Sequence, residues 1–128
     1  MLKKASVMVI TNGYLVLGVS RKEDHSKFGF PGGKQEAWES EKDCAIREAY
    51  EETGLLVSSC FFLLSRVEPP VNDISYHTTC FVADKFSGLL KTNEDLIIRW
   101  MTPEDLCSLE FSAFSNYNRE VFLKLGII

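Results

Sequence analysis

The stretch Gly33 to Leu55, GKQEAWESEKDCAIREAYEETGL, decides how the rest of the chain is read. It begins at a glycine turn and closes on Gly54, a residue suited to the left-handed position after a helix, with Leu55 behind it as the apolar cap contact. Between them the residues predict a helix starting near Ser40, with Ser40 as N-cap and Asp43 at N3, a variant of the capping box. Ala45, Ile46, Ala49, Tyr50 and Thr53 form its less polar side, toward a core. Arg47, Glu48, Glu51 and Glu52 form its charged side. The three glutamates stand at i, i+3 and i+4, on one helix face. Like charges at those spacings repel by roughly 0.2–0.5 kcal/mol per pair. Taken alone, such a face is well solvated or holds a cation, and its flanks decide which.

Just upstream lies Phe28-Gly29-Phe30-Pro31-Gly32-Gly33, where glycines permit close backbone approach and Pro31 stiffens the path. Before it, Ala5–Thr11 and Tyr14–Ser20 are rich in Val, Ile and Leu and flank Asn12-Gly13. That pattern predicts a hairpin with a type I′ turn, followed by a charged connection, Arg21–Lys27. Downstream, Val57–Val67 reads as a strand that Glu68-Pro69-Pro70 stops. Ile74–Phe86 reads as another, Ser87-Gly88 turns the chain, and Leu96–Met101 is a short strand. Thr102-Pro103-Glu104-Asp105-Leu106 has the form of a helix start, with a Thr cap, Pro at N1 and acids in the first turn. Ser115–Leu125 carries Tyr117, Val121, Phe122 and Leu125 at amphipathic helical spacing. A helix interrupts a run of strands, which predicts an α/β sandwich with a mixed sheet.

The 128 residues suit one domain, taken as 1–128, with 45% hydrophobic and 25% charged residues. No run of about 18 apolar residues exists, so no membrane span is expected. The opening MLKKASVMVITNGYLVLG reads as a hairpin rather than a secretory signal, because Thr11-Asn12-Gly13 breaks its apolar run. A formal net charge of −4 argues against nonspecific nucleic-acid binding. Cys44, Cys60, Cys80 and Cys107 are far apart and form no CxxC, which points to thiols in a reducing, cytoplasmic setting. His25 and His77 are too few and too separated for a metal cluster.

The flanks of the glutamates complete a pattern. Gly33, five residues, Glu39, seven residues, then Arg47-Glu48-Ala49-Tyr50-Glu51-Glu52-Thr53-Gly54-Leu55 match G-x5-E-x7-R-E-U-x-E-E-x-G-U, with U apolar, at every fixed position. Seven fixed types at about one in twenty each would arise by chance in such a chain less than once in a million. The chain therefore resembles the Nudix hydrolases, and the surrounding strand order resembles them too. The fold this implies is an α/β/α sandwich, with the box helix on one side of the sheet and the C-terminal helix on the other. The chemistry has its own reason. Carboxylate oxygens are hard ligands that suit Mg²⁺, with Mn²⁺ as an alternative. A cation would neutralise the crowded glutamates and draw a diphosphate into a pocket that otherwise repels it. Arg47, four residues before Glu51, is spaced to hold that carboxylate, and Glu39 is placed to reinforce the loop–helix junction.

By resemblance, Glu51 and Glu52 correspond to the main metal ligands, Glu48 to a catalytic or second ligand, and Gly32 to a carbonyl ligand of MutT-like members. Arg47 and Glu39 correspond to supporting residues. The implied reaction is water attack on a nucleoside diphosphate linked to a further group. A further acid, as base or extra ligand, is expected at Glu94, with Asp95 as the alternative, just ahead of the Arg99-Trp100 strand. Glu104 and Asp105 read as helix-dipole partners.

The favoured substrate is a (d)NTP, oxidised or non-standard nucleotides included, cut to a (d)NMP and pyrophosphate, because the chain is little longer than the fold needs. Asn118, in a segment resembling the MutT C-terminal helix, is the candidate base reader, or else a helix cap. Arg21 and Lys34 are candidate phosphate contacts or plain surface charges. Phe28 and Tyr76 are candidates for base stacking or for packing. The runner-up is an ADP-ribose or nucleotide-sugar pyrophosphatase, for which Pro70 is the pointer. A non-catalytic nucleotide-binding domain ranks third, because such domains lose box glutamates that are all present here. Partners are expected to be a small-molecule nucleotide and at most a second copy of the chain, as monomer or homodimer. Trp38 precedes Glu39 where a glycine is common.

Overall fold

The computed structural model describes residues 1–91 and 95–128. Its elements run β1 (Leu2–Val9), β2 (Thr11–Asn12), β3 (Leu15–Ser20), β4 (Phe28–Gly29), β5 (Gly32–Lys34), α1 (Glu41–Thr53), β6 (Leu56–Val67), β7 (Ser75–Ser87), β8 (Ile98–Met101), α2 (Pro103–Cys107) and α3 (Ser115–Leu125). The long strands form a mixed sheet in the order β5-β1-β7-β6. Within it β1 and β7 run parallel, from Leu2 opposite Ser75 to Val9 opposite Val82, and the other pairs are antiparallel. The short strands gather separately around β3, which pairs with β2, β4 and β8.

Two apolar clusters hold the layers together. Successive strand residues point to opposite faces, so neighbours on one strand serve different clusters. Met8 packs with Ala45, Ala49, Leu55, Val57 and Phe81 under α1. Val9 packs with Cys80, Val82, Tyr117, Val121 and Phe122 under α3. The mixed sheet therefore lies between the box helix and the C-terminal helix, as the resemblance implies.

Helix α1 has the predicted caps. The Asp43 N–H donates to Ser40 Oγ at 3.1 Å. At the other end Gly54 adopts φ +81, and its N–H donates to the Tyr50 carbonyl. A side chain there would strike the Leu89 and Lys91 carbonyls, so glycine is required by space as well as by conformation. The Lys91 N–H donates to the Thr53 carbonyl at 2.6 Å, which ties the chain after β7 to the end of α1.

The N-terminal hairpin differs from expectation in its turn. Thr11 pairs with Val16 and Asn12 with Leu15, so the turn residues are Gly13 and Tyr14, one position later than Asn12-Gly13. Of the expected turn pair only Gly13 has positive φ, at +67. The strand before it also breaks at Ile10: β1 stays in the mixed sheet while β2 starts the second one. Among the described residues no helix is long and apolar enough to cross a membrane.

Candidate active site

The site is assembled where β5, at the edge of the mixed sheet, faces α1. Cys44, Ala45, Ala49 and Thr53 are the buried residues of α1, and their small side chains let the helix sit close to the strands. That closeness brings the charged side of α1 against the glycines of β5. A side chain on Gly33 would collide with the Glu48 carboxylate, so the backbone of β5 and this glutamate share space that only glycine leaves open. The Gly32 N–H donates to Glu52 Oε1 at 2.9 Å. The Cys44 thiol, 3.5 Å from the Gly33 carbonyl, links the first turn of the helix to the same strand.

Arg47 is the hub. Its Nε donates to Glu39 Oε2 at 3.0 Å and its Nη2 to Glu39 Oε1 at 2.7 Å, a two-pronged pair. Its Nη1 donates to Glu48 Oε1 at 2.6 Å and to Glu51 Oε1 at 2.8 Å. Its Nη2 also reaches the Lys34 carbonyl at 3.1 Å. The spacing of Arg47 to Glu51 thus does what the sequence suggests, and the arginine holds two further glutamates as well.

Glu39 is the buried member, 8% exposed, and receives the Glu36 N–H as a second kind of donor. The Arg47 guanidinium, with that N–H, holds its carboxyl down at about 2, against the opposing effect of burial. The same carboxylates push the Arg47 guanidinium well above its ordinary value. Burial raises the Cys44 thiol to about 11, so it is a neutral packing and hydrogen-bonding group.

The carboxylates do not yet form a closed ion cage. Among the described residues no three His, Cys, Asp or Glu side chains converge as they stand to hold a metal. Glu48 and Glu51 meet Arg47, and Glu52 meets the Gly32 N–H. The donor set nevertheless fits a hard divalent cation: three carboxylates on one helix face, beside a strand whose glycine leaves the approach open. Glu51, 41% exposed at its side chain against 16% for Glu48, has more room than Glu48 to turn away from Arg47.

The other candidates are scattered. Lys34 is exposed on β5 and lines an open groove with Lys3, Lys4 and Gln35. Arg21 is held by Glu23 and lies over the Phe114 ring, 5.4 Å from its centroid. Tyr76 is half-buried on β7 opposite Lys3. Phe28 is 1% exposed in the α3-side cluster, with the Arg99 guanidinium 4.7 Å over its ring. Its stacking role is corrected accordingly: the ring is core, and Arg99 covers it. Asn118 is 1% exposed, and its amide donates to the Leu106 carbonyl at 2.8 Å and to Ser112 Oγ at 3.1 Å. It is not the cap of α3, whose N-cap position is Phe114. In this structure Asn118 anchors the α2–α3 connection, and reading a base would require giving up those bonds. Glu94 lies outside the described residues, while Asp95 is exposed near His25. Glu104, in the first turn of α2, accepts the Tyr14 hydroxyl at 2.7 Å. Trp38 is 78% exposed on the loop before α1.

Three residues near the site escaped the sequence reading. Gln35 donates from Nε2 to the Glu39 carbonyl at 2.7 Å and so fixes the loop that carries the buried acid. Lys3 and Lys4 reach the same corner through the pairing of β1 with β5. A periodicity signal existed only for their strand, and nothing in sequence spacing brings residue 3 to residue 34.

Fold and site together define a hydrolase-type centre of carboxylates on a helix, set against a glycine-rich strand. A family model, the NUDIX domain, matches residues 1–125, and the chain belongs to that family. Its hydrolases act on diphosphate bonds. The chain is 62% identical over 34 residues to mRNA decapping complex subunit 2 of Schizosaccharomyces pombe, a stretch that is 27% of this chain and 5% of that protein. Among solved structures, the MutT NUDIX hydrolase of Burkholderia pseudomallei superposes with a TM-score of 0.80 at 21% identity, covering 94% of this chain and 97% of that one. The E. coli ORF135 protein gives 0.81 at 22% identity, covering 98% and 91%. These two likenesses concern the fold.

Proposed function

We propose that this chain is a Mg²⁺-dependent pyrophosphohydrolase that cuts a (d)NTP to a (d)NMP and pyrophosphate. The observation that carries the reading is the Arg47 hub, which sets Glu48 and Glu51 on the face beside Gly32 and Gly33. The family model over residues 1–125, whose hydrolases act on diphosphate bonds, supports a substrate that carries such a bond.

Each residue then has a task. Glu51, Glu52 and Glu48 would hold the cation, with the Gly32 carbonyl as a further ligand. When bound, the cation offsets the charge of the carboxylates and phosphates and makes water a better nucleophile. Arg47 keeps Glu48 and Glu51 aligned while the site is empty of substrate charge. Glu39 fixes Arg47 from the buried side. Glu94 is our candidate for the base that takes the proton from the attacking water. The water oxygen bonds to phosphorus, the bridging P–O bond breaks, and pyrophosphate leaves with the electron pair.

A Mg²⁺-dependent hydrolysis screen over common and oxidised (d)NTPs, ADP-ribose, nucleotide sugars and dinucleoside polyphosphates tests the reading. Turnover is expected on one or more (d)NTPs, and Glu51→Gln is expected to lower kcat by a factor of about 100 or more with the circular dichroism unchanged. Wild-type turnover in that variant would remove the assignment of Glu51, and turnover on ADP-ribose alone would replace the substrate.

A further inference from the structure

A hydroxyl without a hydrogen bond lies beneath the carboxylate site. Ser6, on β1, is 0% exposed, and its Oγ is buried with no hydrogen-bond partner among the described residues. Register sets its place. Ser6 stands two residues before Met8, which packs under α1, so strand alternation turns it to the same face. Its partner on β5 is Gly33. Side chains directly opposite on antiparallel strands have Cβ atoms about 5 Å apart. Gly33 has no side chain, and the Glu48 carboxylate occupies the space where its Cβ would stand. Ser6 therefore has the carboxylate of Glu48 across from it, where another strand residue would place a side chain.

The other groups around the hydroxyl do not satisfy it. Thr79, its partner on β7, is 2% exposed and makes no hydrogen bond to it. The Cys44 thiol also faces it, but sulfur is a weak partner and the geometry gives no hydrogen bond between them. That thiol is 3.5 Å from the Gly33 carbonyl. A buried hydroxyl left without a partner is costly, and alanine would fill the same space without that cost. Glu48 meanwhile is held by Arg47 Nη1 at 2.6 Å. A carboxylate oxygen cannot face both a guanidinium and a cation, so Glu48 loosens that hold in order to act as a ligand. We propose that Ser6 is a positioning residue for Glu48: its hydroxyl donates to the Glu48 carboxylate when that carboxylate turns from Arg47 to hold a divalent cation. This deepens the proposed function and rests on it for the ion, not for the nucleotide.

Mn²⁺ binding to the substrate-free protein, read from the electron paramagnetic resonance of the free ion, tests the anchor. Ser6→Ala is expected to weaken Mn²⁺ binding about tenfold, the usual scale for a residue that orients a metal ligand. Its Tm without metal is expected to stay at or above that of the wild type, because the substitution removes an unsatisfied group and no hydrogen bond. A merely structural serine would lower Tm and leave the ion alone. In a Glu48→Ala background, Ser6→Ala is expected to change Mn²⁺ affinity by less than about twofold, because the group it orients is gone. Unchanged Mn²⁺ affinity in Ser6→Ala overturns the anchor, and so does an equal loss in the Glu48→Ala background. A wild type that binds no Mn²⁺ overturns the carboxylate face as the ion site and the anchor with it. No nucleotide enters the measurement, so failure of the substrate reading and failure of the anchor are separate results.

Discussion

At the scale of single residues, the pair Glu39 and Arg47 shows how one buried charge organises a site. Glu39 lies under the helix start with almost no contact with water, yet it is ionised because Arg47 grips both its oxygens. Its carboxyl titrates at about 2 in the folded chain, below the ordinary 4.5. A depressed carboxyl stabilises the fold fully above the ordinary value and ceases to do so as pH falls toward the folded one. The stability that wild type holds over Glu39→Gln is therefore expected to be constant above pH 4.5 and to shrink between pH 4.5 and about 2. Urea unfolding of both proteins across that range measures it, and a difference that does not change with pH contradicts the ion pair. The mutual spacing of the box residues was legible in sequence, because i, i+4 geometry is local. The burial of Glu39 was not, because it depends on the Gln35–Ser40 loop folding back over Arg47.

At the scale of elements, most boundaries followed from local chemistry. The Ser40 cap, the Gly54 stop, the Thr102 cap and the span of α3 all rest on residues within one turn of each other. The misplaced turn at Asn12-Gly13 shows the limit: β2 is only two residues long, and its register was fixed by pairing with β3 rather than by the Asn-Gly preference. Asn118 makes the same point in a helix. Its sequence position near the start of α3 suits a cap or a ligand, but packing of α2 against α3 turns the side chain inward to Leu106 and Ser112. Asn118→Ala removes both bonds and leaves a buried carbonyl without that donor. It is expected to cost about 1–3 kcal/mol of stability, measured by denaturant unfolding, with base preference unchanged in a competition assay. A broadened base preference would return Asn118 to substrate recognition.

At the scale of the whole molecule, the packing of the layers is apolar and lies apart from the box glutamates. Two apolar clusters on opposite sides of the mixed sheet hold α1 and α3, and neither includes a box glutamate. Chelation is therefore expected to abolish turnover and leave the circular dichroism intact. Added Mg²⁺ should still raise Tm, because an ion that binds only the folded chain stabilises it by about 1.4 kcal/mol at ten times its Kd. The Tm rise should be lost in Glu51→Gln. A wild type whose Tm ignores Mg²⁺ argues against the carboxylate face as the ion site. The four cysteines are all free thiols, and Cys44 and Cys80 are buried, so redox conditions should leave this core unchanged.

The sequence by itself determined the family, the helix that carries the glutamates, its caps and the arginine that spaces them. These are properties of residues close along the chain, where sterics and i, i+4 geometry leave few alternatives. Tertiary structure decided the rest. The antiparallel pairing of β1 with the edge strand β5 brought the backbone of Lys4 and Ala5 beside Gln35 and Lys34. The packing of α3 put Phe28 into the core and turned Asn118 away from the surface. Contacts between residues tens of positions apart form only when layers close on a shared core, and no local pattern encodes which distant side chains will meet.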